Sequence, residues 1–228
     1  MNSQNQKAIL LYNLYPKSYW KELTGILLEH VPHDEIIVNV AIDMWGSLFQ
    51  KNTIKKFLLK MPKVKRVLFT KNNPALGEVV GFDNMRHQVD FSGFSIVTYM
   101  HSKGVTKPNN RNIRDWVELM RYFQIDRFDL CKEKFAEGFI LYGVKLAQYK
   151  GGPRIKGYKY CDFWYGGTFV SCNLDLAREK FLSTACPQDY YGVEGFWGNL
   201  CGIEKAYSAH ETHSSLYDSP YPEKLYKN

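Results

Sequence analysis

Apolar and polar positions alternate in blocks along the first hundred residues. Four short apolar runs without a helical period predict β-strands at residues 8–15, 35–42, 64–70 and 94–100. Between these runs, apolar residues recur at helical spacing, as they do at Trp20, Leu23 and Leu27. Strands that alternate with helices in this way predict an α/β domain with a mostly parallel central sheet flanked by helices.

The pattern is less regular after residue 104. A long amphipathic stretch predicts one helix over residues 112–135. Three further strands are predicted, at residues 139–146, 163–171 and 205–210. The paired glycines Gly166 and Gly167 interrupt the second of them. Because no repeat and no change in composition divides the chain, we expect a single domain over residues 1–228.

The composition is that of an ordinary globular protein. Of the 228 residues, 45% are hydrophobic and 23% are charged, and no apolar run approaches the ~18 residues of a membrane helix. The first residues contain neither a basic region nor a long apolar one, so we expect no secretory signal. The five cysteines are too widely separated for a disulfide framework or a zinc knuckle. These features together predict a cytoplasmic protein.

The net charge of +7 raises the question of a nucleic-acid partner. Most of the positive surplus lies in the first 75 residues, mainly in Lys51, Lys55, Lys56, Lys60, Lys63, Lys65, Arg66 and Lys71. In the same stretch Ile54, Leu58 and Met61 recur at helical spacing, which places the lysines on the solvent face of an amphipathic helix. We therefore expect no nucleic-acid partner. The alternative is a non-catalytic nucleic-acid- or glycan-binding domain that uses this basic first third and the basic loop at residues 150–159.

Sheets of this kind bind ligands beyond the carboxyl ends of their strands. The candidate positions are therefore the ends of the first four predicted strands, at residues 13–15, 43–45, 71–73 and 101–104. The phosphate-loop, dinucleotide-binding and nucleophile-elbow motifs are all absent from the sequence. In His101-Ser102-Lys103-Gly104, a lysine and a histidine are placed to face a diphosphate, with a glycine that allows close approach. The alternative is a solvated turn with a glycine at the bend.

Two segments of the second half combine aromatic residues with glycines. The segment WYGGTF, at residues 164–169, suits the apolar face and the hydroxyls of a sugar; the alternative is a β-bulge in an aromatic core. In YGVEGFW, at residues 191–197, Glu194 borders an apolar stripe, where a partly desolvated carboxylate can act as a general base. The alternative for Glu194 is an acidic residue favoured by the helix dipole.

In their order along the chain, these segments resemble small glycosyltransferase domains of the GT-A type, which occur in large algal viruses and in bacterial polysaccharide clusters. The matching segments lie at residues 99–104, 116–123, 166–169 and 194–197. The resemblance implies a GT-A-like, Rossmann-like fold with a mixed, mostly parallel sheet. It also implies a nucleotide-binding half at residues 1–104, an acceptor and catalytic half at residues 105–228, and residence in the cytoplasm of the cell or of an infected host.

The resemblance further implies glycan biosynthesis: transfer of a hexosyl or deoxyhexosyl group from a UDP- or dTDP-type sugar to a hydroxyl of a glycan. Glu194 would be the general base of this reaction. The residues that would bind the donor nucleotide are Asn13, Tyr15, Asp43, His101, Lys103, Gly104 and Arg114. Those that would bind the acceptor sugar are Trp164, Tyr165, Gly166, Gly167, Thr168 and Trp197.

The sequence departs from the family at the expected metal site. Many GT-A enzymes hold Mn²⁺ or Mg²⁺ with a D-x-D motif after the fourth strand, and this chain has His101 and Lys103 there instead. These two side chains would supply the positive charge that a cation otherwise provides to the leaving diphosphate. The sequence leaves the metal requirement open.

Overall fold

The computed structural model describes residues 6–43, 48–149 and 161–227. Its strands are β1 (Ala8–Leu14), β2 (Glu35–Ile42), β3 (Val64–Lys71), β4 (Ile96–His101), β5 (Leu141–Gly143), β6 (Leu146–Gln148), β7 (Phe163–Tyr165), β8 (Val170–Asn173) and β9 (Ala206–Ser208). Its α-helices are α1 (Trp20–Leu28), α2 (Leu48–Leu58), α3 (Val79–Gln88), α4 (Arg111–Arg121), α5 (Phe128–Ala136), α6 (Leu174–Ser183) and α7 (Gly192–Trp197). The basic loop at residues 150–159 and Trp45 lie outside the described residues.

A seven-stranded sheet forms the centre of the protein, in the order β3-β2-β1-β4-β8-β5-β9. β1 pairs in parallel with β2 and with β4, and the pairs β2–β3 and β5–β9 are parallel as well. Only β8 runs antiparallel to its neighbours β4 and β5, and β6 and β7 form a separate antiparallel pair. The predicted α/β architecture, with a mixed and mostly parallel sheet flanked by helices, is confirmed.

Helices cover both faces of the sheet because the strands at its centre are apolar on both faces. Along β1, Leu10 and Tyr12 face a core shared with α1, α2, α4 and α5, whereas Ile9 and Leu11 face a core shared with α3, α6 and α7. All four side chains are fully buried. Within the ranges that the structure describes, no helix is long and apolar enough to cross a membrane.

Two predicted elements are divided in the structure. The helix predicted over residues 112–135 is interrupted by a π-helical turn, Tyr122–Asp126, between α4 and α5. This turn buries Gln124, whose amide donates to the carbonyls of Tyr142 (3.2 Å) and Phe169 (3.0 Å) and so ties the helices to the sheet. The strand predicted over residues 163–171 is divided at its paired glycines into β7 and β8.

A chain of buried polar side chains begins at His33 and crosses one face of the sheet. Its Nε2 lies 2.7 Å from the hydroxyl of Thr98, which lies 2.7 Å from the hydroxyl of Ser171. Ser171 in turn donates to Gln124 at 2.6 Å. Burial, together with the charges of nearby lysines, lowers the pKa of His33 from 6.5 to about 3.

The buried His33 is expected to make the fold sensitive to acid. Because its pKa is lower in the folded chain, its full contribution to stability is present above about pH 6.5 and is lost as the pH falls towards about 3. Between these values the free energy of unfolding is expected to fall by about 1.4 kcal/mol per pH unit on account of this one group. Urea unfolding at several pH values tests this. The His33→Gln variant should have the shallower pH dependence, while His87→Gln, an exposed change on α3, should follow the wild type. Equal slopes for all three proteins would contradict the assignment.

Candidate active site

A cleft of about 490 Å³ opens at the carboxyl ends of β1 and β4. These two strands are neighbours in the sheet. After β1 the chain continues to β2, towards one edge of the sheet, whereas after β4 it continues to β5, towards the other edge, as the order β3-β2-β1-β4-β8-β5-β9 shows. Parallel sheets bind ligands at such a reversal of strand order, because the loops there diverge and leave a crevice. Of the predicted donor-binding residues, Asn13, Tyr15, His101, Lys103 and Gly104 all line this cleft.

Both ring nitrogens of His101 face oxygen atoms that only accept hydrogen bonds. Nδ1 pairs with the carboxylate of Glu78, and Nε2 lies 3.0 Å from the carbonyl oxygen of Gly167. The ring thus bridges the start of α3 and the turn before β8. Both of its ring nitrogens are therefore already engaged within the protein.

Glu78 lines the cleft and is not among the site residues that the sequence predicts. It precedes the first residue of α3, and its second carboxylate oxygen accepts a 2.9 Å hydrogen bond from the hydroxyl of Tyr99. Burial raises the pKa of Glu78, but the charge and hydrogen bond of His101, the Tyr99 hydroxyl and the charge of Lys103 outweigh this effect. The pKa of Glu78 therefore lies below its ordinary value, and the carboxylate stays ionised.

Lys103 lies two residues after the end of β4, in a turn that lines the cleft. This turn requires a glycine at position 104. Gly104 has a φ of +78°, and a Cβ atom there would collide with Ile113. The ammonium group lies 4.0 Å from the centre of the Trp116 ring and 5.5 Å from that of Tyr217. In the part of the chain that the structure describes, no carboxylate forms an ion pair with Lys103 Nζ and no oxygen accepts a hydrogen bond from it. Burial lowers the pKa of Lys103, although the charges of Glu78 and Glu194 oppose this.

Glu194 lies in the first turn of α7 and lines the same cleft. Its Oε1 accepts a 3.2 Å hydrogen bond from the hydroxyl of the buried Thr168. Thr168 follows Gly167, whose carbonyl is held by His101. The His101 ring therefore fixes the turn that positions the carboxylate of Glu194.

The predicted nucleotide residues on β1 and β2 are held by polar contacts. The amide of Asn39 donates to Asn13 at 3.0 Å, and the backbone N–H of Tyr15 donates to the hydroxyl of Ser102 at 2.8 Å. Asp43 lies at the border of the cleft, where the hydroxyl of Tyr15 donates to it at 3.1 Å. A hydrogen bond from the Asn72 amide, with others from Lys17 and Tyr15, keeps the pKa of this carboxylate below its ordinary value.

The structure does not bring the other predicted residues together at this cleft. Arg114 is exposed on α4, and Trp164 is half-buried on β7; neither lines the cleft. Gly166 contacts the side chain of Lys145. Tyr165 and Trp197 are each 1% exposed and belong to the apolar core, so neither ring presents a face to a ligand. The aromatic-core alternative therefore describes these last two residues.

The carboxylates of the cleft do not make a metal site. The carboxylate of Glu78 pairs with His101, and that of Glu194 accepts a hydrogen bond from Thr168. Both carboxylates also interact electrostatically with the ammonium group of Lys103. Among all described residues, no three of the histidine, cysteine, aspartate and glutamate side chains gather as metal ligands would. The described donor set therefore does not fit the divalent cation that many GT-A enzymes use.

No protein-family model and no curated protein sequence matches the chain. Among solved structures it is similar to the mannosyltransferase PcManGT from Pyrobaculum calidifontis, in complex with GDP-Man and Mn²⁺, with a TM-score of 0.44 and 10% identity over 85% of this chain and 51% of that one. It is also similar to 4-diphosphocytidyl-2C-methyl-D-erythritol synthase, with a TM-score of 0.41 and 14% identity over 97% and 96% of the two chains. The chain thus spans about half the length of the mannosyltransferase. Similarity at this level does not indicate a function. The function proposed for this chain is based on the cleft.

Proposed function

We propose that this chain is a glycosyltransferase that moves a sugar from a nucleotide-diphosphate donor, of the UDP or dTDP type, to a hydroxyl of a glycan. The observation that carries the proposal is the ammonium of Lys103, which lies in the cleft against Trp116 and has no ion-pair partner among the described residues. A cation that is partly desolvated and unpaired is costly unless a ligand completes its contacts. A diphosphate at the reversal of strand order supplies the matching charge.

The proposed reaction is a single displacement at the anomeric carbon. The acceptor oxygen forms the new bond to this carbon while its proton passes to the carboxylate of Glu194. The bond from the anomeric carbon to the donor phosphate oxygen breaks, and its electron pair leaves with the nucleoside diphosphate. Lys103 stabilises the charge that develops on this leaving group, and His101 lines the same cleft beside it.

The remaining residues of the cleft have supporting roles in this proposal. Asn13 and Tyr15 border the nucleotide at the end of β1, and Asp43 extends that border at the end of β2. Gly104 lets the backbone of the turn approach the diphosphate. Thr168 keeps the carboxylate of Glu194 oriented through its hydroxyl.

Thermal unfolding with a panel of nucleotides tests the proposal. UDP or dTDP at 100 times its dissociation constant is expected to stabilise the folded chain by about 2.7 kcal/mol, and to do so equally in EDTA and in Mn²⁺. AMP and inorganic phosphate serve as controls for non-specific binding of anions. The proposal is wrong if no nucleoside diphosphate or nucleotide sugar stabilises the protein. Tight, steeply salt-dependent binding of DNA or RNA in the same series would favour the non-catalytic alternative.

A further inference from the structure

Two exposed tyrosine rings line the cleft. Tyr190 is 61% exposed and Tyr217 is 53% exposed, and both line the cleft. Neither phenol oxygen makes a hydrogen bond within the described residues. Large rings that remain exposed at the border of a cleft are typical of binding surfaces, because their burial in the core would have stabilised the fold.

The backbone that carries Tyr190 is firmly held although its ring is exposed. Asp189 accepts hydrogen bonds of 3.0 Å from the N–H groups of Tyr191 and of Gly192. Gly77 also packs closely against this backbone. It has a φ of +54°, and a Cβ atom at this position would lie 2.9 Å from the carbonyl oxygen of Tyr190. The close contact with Gly77 and the turn at Asp189 therefore fix where the ring stands.

The backbone that carries Tyr217 is held in a comparable way. The neighbouring Leu216 is buried in the core, and the amide of Asn112 donates to the carbonyl of Tyr217 at 3.0 Å. The Tyr217 ring meets the Trp116 ring edge to face, with 4.7 Å between their centres. The Tyr217 ring is thus held against Trp116 while about half of the residue remains exposed at the cleft.

The surroundings of the two rings favour a sugar over an apolar ligand. The carboxylates of Glu78 and Glu194 line the same cleft, and their charges, after burial, contribute to raising the pKa of both phenols. A lipid chain in this place would set hydrocarbon against these two charged groups and remove them from water, which is costly. A pyranose ring offers C–H groups to an aromatic face and hydroxyls to carboxylates, and a cleft of about 490 Å³ has room for it.

We infer that Tyr190 and Tyr217 form a subsite that holds a hexopyranoside by its apolar face, with its hydroxyls directed towards Glu194. Its use as the acceptor subsite rests on the proposed function; the binding of a glycoside does not. This pair takes the place that the sequence assigned to Tyr165 and Trp197, whose rings are enclosed in the core.

Binding of simple glycosides tests the subsite without requiring transfer. The probes are methyl hexopyranosides and methyl 6-deoxyhexopyranosides, titrated by saturation-transfer NMR with and without saturating UDP. The Tyr190→Ala and Tyr217→Ala variants are each expected to weaken binding of the best probe at least about tenfold. The two Phe variants keep the ring and are expected to stay within about threefold of the wild type. Leu176→Ala, which removes an exposed side chain on α6, should change nothing.

The outcomes separate this inference from the proposed function. If no methyl glycoside binds the wild type, or if both Ala variants bind the best probe as the wild type does, the subsite is wrong, whatever UDP does. If the glycoside binds through the tyrosines but no nucleoside diphosphate binds, the subsite stands and the proposed transfer fails. Unchanged urea unfolding of each variant shows that a loss of binding is not a loss of fold.

Discussion

Replacing Lys103 with methionine is expected to abolish most nucleotide binding and nearly all sugar transfer while leaving the fold intact. Methionine has a similar length and can pack its sulfur against Trp116, so the wall of the cleft keeps its shape. The variant loses the ammonium group, which is the part of the lysine that a diphosphate would contact. Hydrogen bonds to a charged group contribute about 1.5–3 kcal/mol, so UDP binding should weaken about tenfold to a hundredfold. Transfer should fall by about a further 10²–10³-fold, because charge develops on the leaving group in the transition state.

The measurements are UDP titration, transfer rate at saturating donor, and urea unfolding. Because burial lowers the pKa of Lys103, the charged lysine costs folding free energy at neutral pH, and the methionine variant should be at least as stable as the wild type. Lys60→Met, an exposed change just beyond α2, removes the same charge away from the cleft and serves as the matched control. Undiminished UDP binding by Lys103→Met would contradict the placement of the diphosphate.

The succession of strands and helices along the chain, and with it the edge of the sheet that carries the cleft, could be predicted from the sequence. Buried parallel strands are continuous apolar runs, and residues 35–42 were assigned to a strand with the same bounds that β2 has. Once the strands are known, their carboxyl ends must share one edge of the sheet. This is why Asn13 and Lys103, 90 positions apart, were expected together and are found together.

Glu78 could not be predicted, because its role depends on contacts between distant segments. A glutamate before a helix is favoured by the helix dipole and by itself indicates nothing more. Only the packing of α3 on the central sheet brings this carboxylate to His101 and Tyr99. The same contacts explain why His101 differs from the expectation: a side chain predicted to face a ligand is instead held on both sides by the protein.

The aromatic residues near Glu194 show a second limit of sequence reasoning. Glu194 and Trp197 are three positions apart on a short helix, so their directions differ by only about 60°. That difference is enough to direct Glu194 into the cleft and Trp197 into the core, against Phe181 and Phe196. A pattern of apolar positions gives the buried side of a helix, but it does not locate the edge of that side to within one residue.

Replacing Glu194 with glutamine is expected to lower the rate of transfer by about 10²–10⁴-fold, with UDP binding and the fold unchanged. Glutamine keeps an oxygen that can accept the hydrogen bond of Thr168, so the side chain stays in place. It has no basic oxygen to take the proton of the acceptor hydroxyl, so only the chemical step should suffer. Transfer rates at saturating donor, compared with UDP titration, separate the two effects. Glu179→Gln, an exposed change on α6, is the matched control.

Glu194 is a better candidate for the base than Glu78, the other carboxylate of the cleft. Both oxygens of Glu78 are occupied by His101 and Tyr99, and its pKa is lowered, so it is a weak proton acceptor. If Glu194→Gln transferred sugar at the rate of the wild type, the base would have to be another group and the proposed displacement would be wrong. If instead UDP binding fell together with transfer, Glu194 would act in shaping the donor site, and its assignment as base would fail on that ground.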